Sequence, residues 1–193
     1  MVHHDFHIGN ILINNNYEYI GNIPLGIHIS DMGLCGEIGD KNKTKIYGVM
    51  PYVAPEVLRG KPYTQAADIY SFGMIMYYII TGRQPFENCA HDGLLALDIC
   101  RGIRPEIPEI PELKSNQYIG LMKKCWDSDP DNRPNVESIF IILSGLRNDI
   151  EKAEKYLFKY KENKQLTTTH PQAIYSSRLL NPYTEGLSTY FTE

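Results

Sequence analysis

Two short segments near the N-terminus carry the side chains best suited to chemistry. Asp5 and Asn10 have four residues between them and precede the β-prone run Ile11-Leu12-Ile13. Asp31 closely follows a second such run, Ile27-His28-Ile29, and a glycine comes two residues later. An aspartate at the end of a strand, followed by glycine, can reach a metal ion from a sharp bend. Taken singly, each segment is more simply a polar turn, so neither alone predicts a function.

Three further segments follow in a fixed order. They read GVMPYVAPE over 48–56, ADIYSFG over 67–73, and CWDSDPDNRP over 125–134. Together the five segments stand in the order and rough spacing of a eukaryotic protein kinase C-terminal lobe, and they most resemble the tyrosine-kinase-like group. The resemblance covers about residues 2–150. Unrelated turns would not fall into this order by chance.

The resemblance implies a role for each residue of the candidate site. Asp5 matches the catalytic base that orients the substrate hydroxyl. Asn10 and Asp31 match the two magnesium ligands, through which the family binds the phosphates of ATP. The implied cofactors are therefore ATP and Mg²⁺, and the implied partner is a protein substrate.

The same resemblance assigns structural roles. Glu56 matches the glutamate that pairs with an arginine, here Arg133, and Asp68 matches the aspartate that holds the backbone of the catalytic loop. We call residues 31–56 the activation segment.

Some positions depart from the family pattern. His4 replaces the usual arginine beside the catalytic aspartate, which in the family neutralises a phosphorylated activation-segment residue. We therefore expect little dependence on such phosphorylation. His7 and Val49 replace a lysine and a threonine common in Ser/Thr kinases. These positions leave the choice between Ser/Thr and Tyr open, although the group as a whole favours Ser/Thr.

Periodicity predicts a mainly α fold with one small β hairpin. Thr64 and Gly82 bracket an almost wholly apolar helix over 65–81, typical of the centre of a domain. Further helices are expected at about 92–100, after Ser115, and after Asn135. Their expected apolar faces are Tyr118, Leu121, Met122, Cys125 and Trp126 for the third helix, and Val136, Ile139, Phe140, Leu143, Leu146 and Ile150 for the last.

The predicted organisation is a C-lobe over residues 1–150 and a polar, partly disordered extension over 151–193, mobile from Asn163. A glycine-rich phosphate loop and a V-A-I-K lysine do not occur before Asp5, so the N-lobe is expected to be absent from this chain. The central helix is then expected to expose apolar side chains that a missing neighbour would cover.

Composition restricts the other classes of function. The 193 residues are enough for one domain with a core, being 42% hydrophobic, and their net charge of −4 argues against nucleic-acid binding. The apolar run 69–80 is too short for a membrane span. Four cysteines without a CxxC pair, and no secretory signal, favour a cytoplasmic location.

Two functions remain open. One is a protein kinase, represented here by a fragment with negligible activity of its own because most of the nucleotide clamp is missing. The alternative is a non-catalytic, kinase-like module that binds proteins. The presence of Asp5, Asn10 and Asp31 together favours the kinase.

Overall fold

The computed structural model describes residues 1–13, 19–20, 23–24, 27–32, 35, 45–108, 117–146 and 168–191. Helices dominate these residues, which confirms the predicted fold class. The α-helices are α1 Pro55–Leu58, α2 Gln65–Thr81, α3 Gly93–Cys100, α4 Gln117–Cys125, α5 Val136–Gly145 and α6 Asn181–Thr184. Single 3-10 turns lie at Ile8–Asn10, Met50–Tyr52, Pro130–Asn132 and Leu187–Phe191.

The described strands form three two-stranded antiparallel sheets. They are β1 Ile11–Ile13, β2 Tyr19–Ile20, β3 Ile23–Pro24, β4 Ile27–Ile29, β5 Tyr47–Gly48 and β6 Arg178–Leu179. β1 pairs with β4, as the two β-prone runs predicted, with Leu12 opposite His28. The pair β2–β3 lies in the part of the chain between β1 and β4. β5 pairs with β6, which joins the activation segment to a distant part of the chain.

Helix α2 is the centre of the core, as predicted. Thr64 is its N-cap residue, and Gly82 ends it in the left-handed conformation at φ 62°. α2 packs against α4, the Met50–Tyr52 turn and the Pro130–Asn132 turn. The expected exposed apolar face is wrong: in this fully described helix, Ile79 is the one large apolar side chain that is strongly exposed, at 46%. α4 and these two turns cover much of the rest.

The other helices begin as the sequence indicates. Asp92 accepts hydrogen bonds from the backbone N–H groups of Leu94 and Leu95 at the start of α3, and Asn135 accepts one from Ser138 at the start of α5. The predicted cap Ser115 lies outside the described residues. The predicted face of α4 is buried throughout, including Trp126 just beyond its end.

The predicted buried face of α5 is partly wrong. Ile139 and Leu146 are buried, but Val136 and Phe140 are 62% and 72% exposed, and the neighbouring Ile141 is 70% exposed. α5 packs mainly against α4, and the side that carries these three residues is largely exposed among the described residues. Apolar periodicity fixed the helix but not how much of its surface is covered.

Residues 168–191, hereafter the C-terminal segment, pack on the lobe. Leu180 and Leu187 are buried within the main hydrophobic core, and Tyr175 and Tyr183 pack against its edge. The prediction of a mobile tail from Asn163 did not anticipate this packing. The segment has no helical or strand periodicity, and its apolar residues are scattered along the sequence. The domain boundary at residue 150 stays a prediction. No helix in the described part of the chain is both long and apolar enough to cross a membrane.

Candidate active site

The loop that carries Asp5 is tied to the core by backbone hydrogen bonds. The N–H of His3 donates to Asp68 Oδ2 at 2.8 Å, which connects the loop to the first turn of α2. Asn10 Nδ2 donates to the carbonyl oxygen of Asp5 at 2.9 Å, and the Asn10 N–H donates to His7 at the same distance. His4 between these ties takes a left-handed conformation at φ 70°. The predicted role of Asp68 is confirmed.

Asp68 carries out this role from a partly buried position. Burial raises the pKa of its carboxyl group, and the backbone N–H groups of His3 and His4 offset part of that rise. The Asp68 carboxylate thus lies in an environment that disfavours its charge, and from that position it fixes the loop.

Asp5 and His7 face each other inside the loop. Asp5 Oδ1 and His7 Nε2 are 3.7 Å apart, both are buried, and neither has a hydrogen-bond partner among the described residues. The N–H of Gly9 donates to His7 Nδ1 at 3.1 Å, so the neutral ring carries its proton on Nε2, facing Asp5. Burial lowers the pKa of His7, and the nearby carboxylate of Asp5 only partly opposes this. A carboxylate acceptor and an imidazole donor therefore meet at a gap that suits a hydroxyl group.

Ser30 links the two segments that carry the predicted metal ligands. The N–H and the hydroxyl of Ser30 both donate to the carbonyl oxygen of Asn10, at 2.8 and 3.1 Å. Asp31 follows at once, exposed and in a left-handed conformation at φ 59°. Because Asn10 Nδ2 is bound to Asp5, the amide oxygen is the atom left to act as a ligand.

The donor set suits a magnesium–nucleotide complex. Mg²⁺ is usually held by one or two protein oxygens, with phosphates and water completing its shell. Among the described residues no cluster of three or more His, Cys, Asp or Glu side chains could hold a metal ion. One carboxylate and one amide oxygen therefore fit a shared site better than an all-protein cage. The roles of Asp5, Asn10 and Asp31 stay predictions.

Gly48 brings the activation segment against the catalytic loop. Its φ of 145° is one that side-chain-bearing residues rarely adopt. A Cβ atom there would lie 2.9 Å from Val53 Cγ2 and 3.5 Å from Asp5 Oδ1. Gly48 opens the motif over 48–56, but the spacing of the motifs does not identify it as a neighbour of Asp5. Its position before the Val-Met-Pro turn is the signal that the sequence offers.

Glu56 and Arg133 form the predicted ion pair. Arg133 Nη1 and Nη2 donate to the two carboxylate oxygens of Glu56 at 2.7 and 2.8 Å, and both residues are buried. Arg133 also donates to the carbonyl oxygens of Ala66 and Asp127. The end of the activation segment is thereby fixed to the start of α2 and to the turn after α4.

Met32, which stands where the family has phenylalanine, is 55% exposed. Cys35 Sγ lies 3.6 Å from Met32 Sδ and 3.7 Å from the carbonyl oxygen of His3. Among the described residues, Met32 is thus not part of the hydrophobic core.

Comparison with known proteins agrees with this geometry. The family model described as "Protein kinase domain" matches residues 1–141. The human receptor-interacting serine/threonine-protein kinase 1 is 29% identical over 90% of this chain. Two Dictyostelium discoideum proteins named as probable serine/threonine-protein kinases are 36% and 32% identical, over 68% and 84% of the chain. The chain spans only 28%, 9% and 17% of these three relatives. With a family match over most of its length and the expected loop, helix and ion-pair geometry, the chain belongs to the eukaryotic protein kinase domain family.

Proposed function

We propose that this chain is the C-terminal lobe of a catalytically active protein kinase that phosphorylates Ser or Thr residues of proteins. The observation that carries the proposal is the pair of unpartnered buried atoms, Asp5 Oδ1 and His7 Nε2, 3.7 Å apart. Burying such atoms without partners is costly, so the arrangement is better explained by a group that binds there. A substrate hydroxyl can donate to the carboxylate and accept from the imidazole.

The residues of the chain then divide the work. Mg²⁺-bound ATP supplies the phosphoryl group, and Asn10 and Asp31 would hold the metal through their side-chain oxygens. Asp5 orients the hydroxyl and accepts its proton. His7 stays neutral and donates from Nε2, which fixes the hydroxyl oxygen. Most of the catalysis is positioning, so the rigid ties of the loop to Asp68 matter as much as the reacting groups.

The choice of Ser or Thr rests on the relatives and on the resemblance to the tyrosine-kinase-like group. All three relatives described above bear the name serine/threonine-protein kinase. His4 supports a further point: it is buried, with its ring edge-on to Tyr63 at 4.6 Å between centroids, and does not offer a solvent-facing cation to a phosphate. Little dependence on activation-segment phosphorylation follows. The cytoplasmic location stays a prediction.

The 193 residues by themselves are expected to show negligible activity. They contain no glycine-rich loop and no V-A-I-K lysine to hold the triphosphate. Binding of Mg-ATP by this half-site alone should therefore be weak. An Mg-ATP titration followed by thermal unfolding measures this, because binding to the folded state raises the unfolding temperature by mass action. A clear rise that Asp31→Ala abolishes would contradict the expectation.

A non-catalytic binding role is the second candidate. Val136, Phe140 and Ile141 on α5 are 62–72% exposed, which suits a contact with another protein or another part of a longer chain. Such a role does not explain the unpartnered atoms of Asp5 and His7.

The deciding experiment uses the full-length protein that contains this lobe. Phosphate transfer to a generic protein substrate is compared between the wild type, Asp5→Asn and Asp131→Asn, the last an exposed carboxylate in a turn away from the site. We expect Asp5→Asn to lose activity by a factor of about 10² to 10⁴, the usual contribution of a general base. Asp131→Asn should match the wild type. Unchanged activity in Asp5→Asn, or no activity in the wild type, would refute the kinase proposal.

A further inference from the structure

Arg104, which follows α3, donates hydrogen bonds to two parts of the chain. Its Nε donates to the carbonyl oxygen of Trp126 at 2.8 Å, and its Nη2 donates to Ser128 Oγ at 3.1 Å. Its Nη1 donates to the carbonyl oxygens of Ile99 and Ile103, at 3.0 and 2.8 Å. These contacts use most of the N–H donors that the planar fork of a guanidinium group offers. Arg104 thus joins the end of α3 to the turn that follows α4.

The guanidinium group of Arg104 also meets the buried ring of Tyr70 in α2. Its Cζ lies 5.1 Å from the centre of that ring, and the Cζ of Arg133 lies 5.3 Å from the same centre. Tyr70 is fully buried, and its hydroxyl group has no hydrogen-bond partner among the described residues. The ring therefore interacts with the two arginines through its π system, and this attraction is strongest where water is excluded.

The two arginines hold the same turn. Arg133 Nε donates to the carbonyl oxygen of Asp127 at 3.0 Å, between the two residues of the turn that Arg104 binds. Two guanidinium groups beside one ring repel each other, so the arrangement requires acceptors around both. Arg104 has the acceptors given above, and those of Arg133 include the carboxylate of Glu56. The position of Arg133 therefore depends on a ring and a turn that Arg104 also holds.

Glu56 connects this arrangement to the candidate active site. Its carboxylate accepts two hydrogen bonds from Arg133, and it ends the activation segment, which at Gly48 lies against Asp5. The segments that carry the predicted metal ligands are linked instead by the hydrogen bonds of Ser30, in which Glu56 takes no part. A shift of Arg133 should therefore displace the part of the activation segment beside Asp5 and leave the nucleotide side of the site in place.

We propose that Arg104 is a positioning residue for the protein substrate. Through Tyr70 and the turn after α4, it keeps Arg133 paired with Glu56, and this pair keeps the activation segment in place beside Asp5. Arg104 acts through these contacts and not on the reacting atoms. The inference rests on the proposed function for the role of Asp5, and it adds a residue outside the five motifs to those that orient the substrate.

The test compares three variants of the full-length protein with the wild type. Arg104→Met removes the charge and the hydrogen bonds but keeps much of the apolar volume. Arg104→Lys keeps a cation but not the planar fork of donors, so its effect should be smaller. Arg101→Met is the matched control, because it makes the same substitution at an exposed arginine nearby. A cooperative thermal transition shows whether each variant is folded; if Arg104→Met is not, Arg104→Lys decides.

The first readout is the pair of KM values for casein and for ATP. A misplacement of about 1 Å can cost about 10²-fold in rate, so Arg104→Met should raise the KM for casein at least about fivefold. The KM for ATP should stay within about twofold, Arg104→Lys should be intermediate, and Arg101→Met should match the wild type. A merely structural role would reduce the amount of folded enzyme, which lowers kcat and leaves both KM values unchanged. That result, or equal rises in both KM values, would overturn the proposal.

The same substitution in a Glu56→Gln background tests the route. Both changes act on one contact, so Arg104→Met should raise the KM for casein by less than about twofold in that background. If Arg104→Met raises the KM by the same factor in both backgrounds, Arg104 acts by another route and the proposal is wrong.

Hydrogen exchange separates this proposal from the kinase function. The backbone amides over 46–58 should exchange about tenfold faster in Arg104→Met than in the wild type or Arg101→Met, because their anchor is looser. Unchanged exchange in this range would overturn the proposal even if the enzyme is active. Failure of every protein, including the wild type, to phosphorylate casein would refute the kinase function itself. Exchange over 46–58 would still decide whether Arg104 holds the activation segment.

Discussion

Replacing Arg133 with methionine tests whether the Glu56–Arg133 pair fixes the activation segment to the core. The two hydrogen bonds of 2.7 and 2.8 Å join side chains that are both buried. Methionine keeps much of the apolar volume but leaves the Glu56 carboxylate without its charged partner. Breaking one side of a buried pair in this way costs about 3–5 kcal/mol of the free energy of unfolding. That is a large share of the 5–15 kcal/mol typical of a whole domain.

Urea denaturation measures this loss. The chain has one tryptophan, Trp126, which is buried next to the turn that Arg133 binds, so its fluorescence reports on this region. With a urea dependence of about 1–3 kcal/mol per molar, the midpoint should fall by about 1 M or more. Arg101→Met is the matched control: Arg101 is exposed, and its replacement should change the free energy of unfolding by less than about 0.5 kcal/mol.

A double-mutant cycle separates the free-energy cost of leaving the Glu56 charge unpaired from the cost of losing the packing of Arg133. Glu56→Gln removes the charge that Arg133→Met would leave unpaired, so Arg133→Met should cost about 2 kcal/mol less in the Glu56→Gln background. An equal cost in both backgrounds, or a cost below about 1 kcal/mol in the wild type, would refute the reasoning.

Three further predictions concern the core and its titrating groups. Gly73→Ala should lower the unfolding temperature, because the new Cβ atom would lie 3.0 Å from the Cβ atom of Cys125. The cost of this overpacking exceeds the gain in helix propensity, so the free energy of unfolding should fall by about 1 kcal/mol. Burial raises the pKa of Asp68, so its contribution to stability falls as the pH rises above 3.8 through the raised value. Urea midpoints for Asp68→Asn should not show this fall; a parallel pH dependence in wild type and variant would contradict it. Burial lowers the pKa of His91 below 6.5, so the stability it supports above that pH is lost as the pH falls through the lowered value. Hydrogen exchange in the C-terminal segment should then quicken in acid, and unchanged protection would argue against the role of His91.

Local signals in the sequence were enough for the elements that carry the site. The apolar run over 65–81 predicted α2, since a helix surrounded by core must be apolar on nearly every side. The caps Asp92 and Asn135 predicted where α3 and α5 begin, because each satisfies backbone N–H groups that no helical carbonyl can reach. Motif order placed Glu56 and Arg133 in contact although 77 residues separate them.

Contacts that depend on which surfaces meet were not predictable from the sequence. The exposure of Phe140 is decided by what packs beside α5, and an apolar period does not contain that information. The docking of the C-terminal segment depends on Leu180 reaching the core and Asn181 meeting Ile46, contacts between segments more than 130 residues apart. Asp5 and His7 face each other because the Gly9 N–H fixes the orientation of the imidazole ring. The spacing of residues in a motif does not predict that orientation.

The buried core explains how the site can maintain features that are unfavourable by themselves. His4 and Asp31 take left-handed conformations, each at a cost of about 1–3 kcal/mol, and Asp5 Oδ1 is buried without a partner. All three lie in or beside the loop that Asp68 ties to α2. Because α2 is enclosed almost completely, Asp68 cannot move to relieve the strain without disturbing the core. The rigidity that the proposed orientation of a substrate hydroxyl requires therefore originates in the apolar packing around α2, away from Asp5.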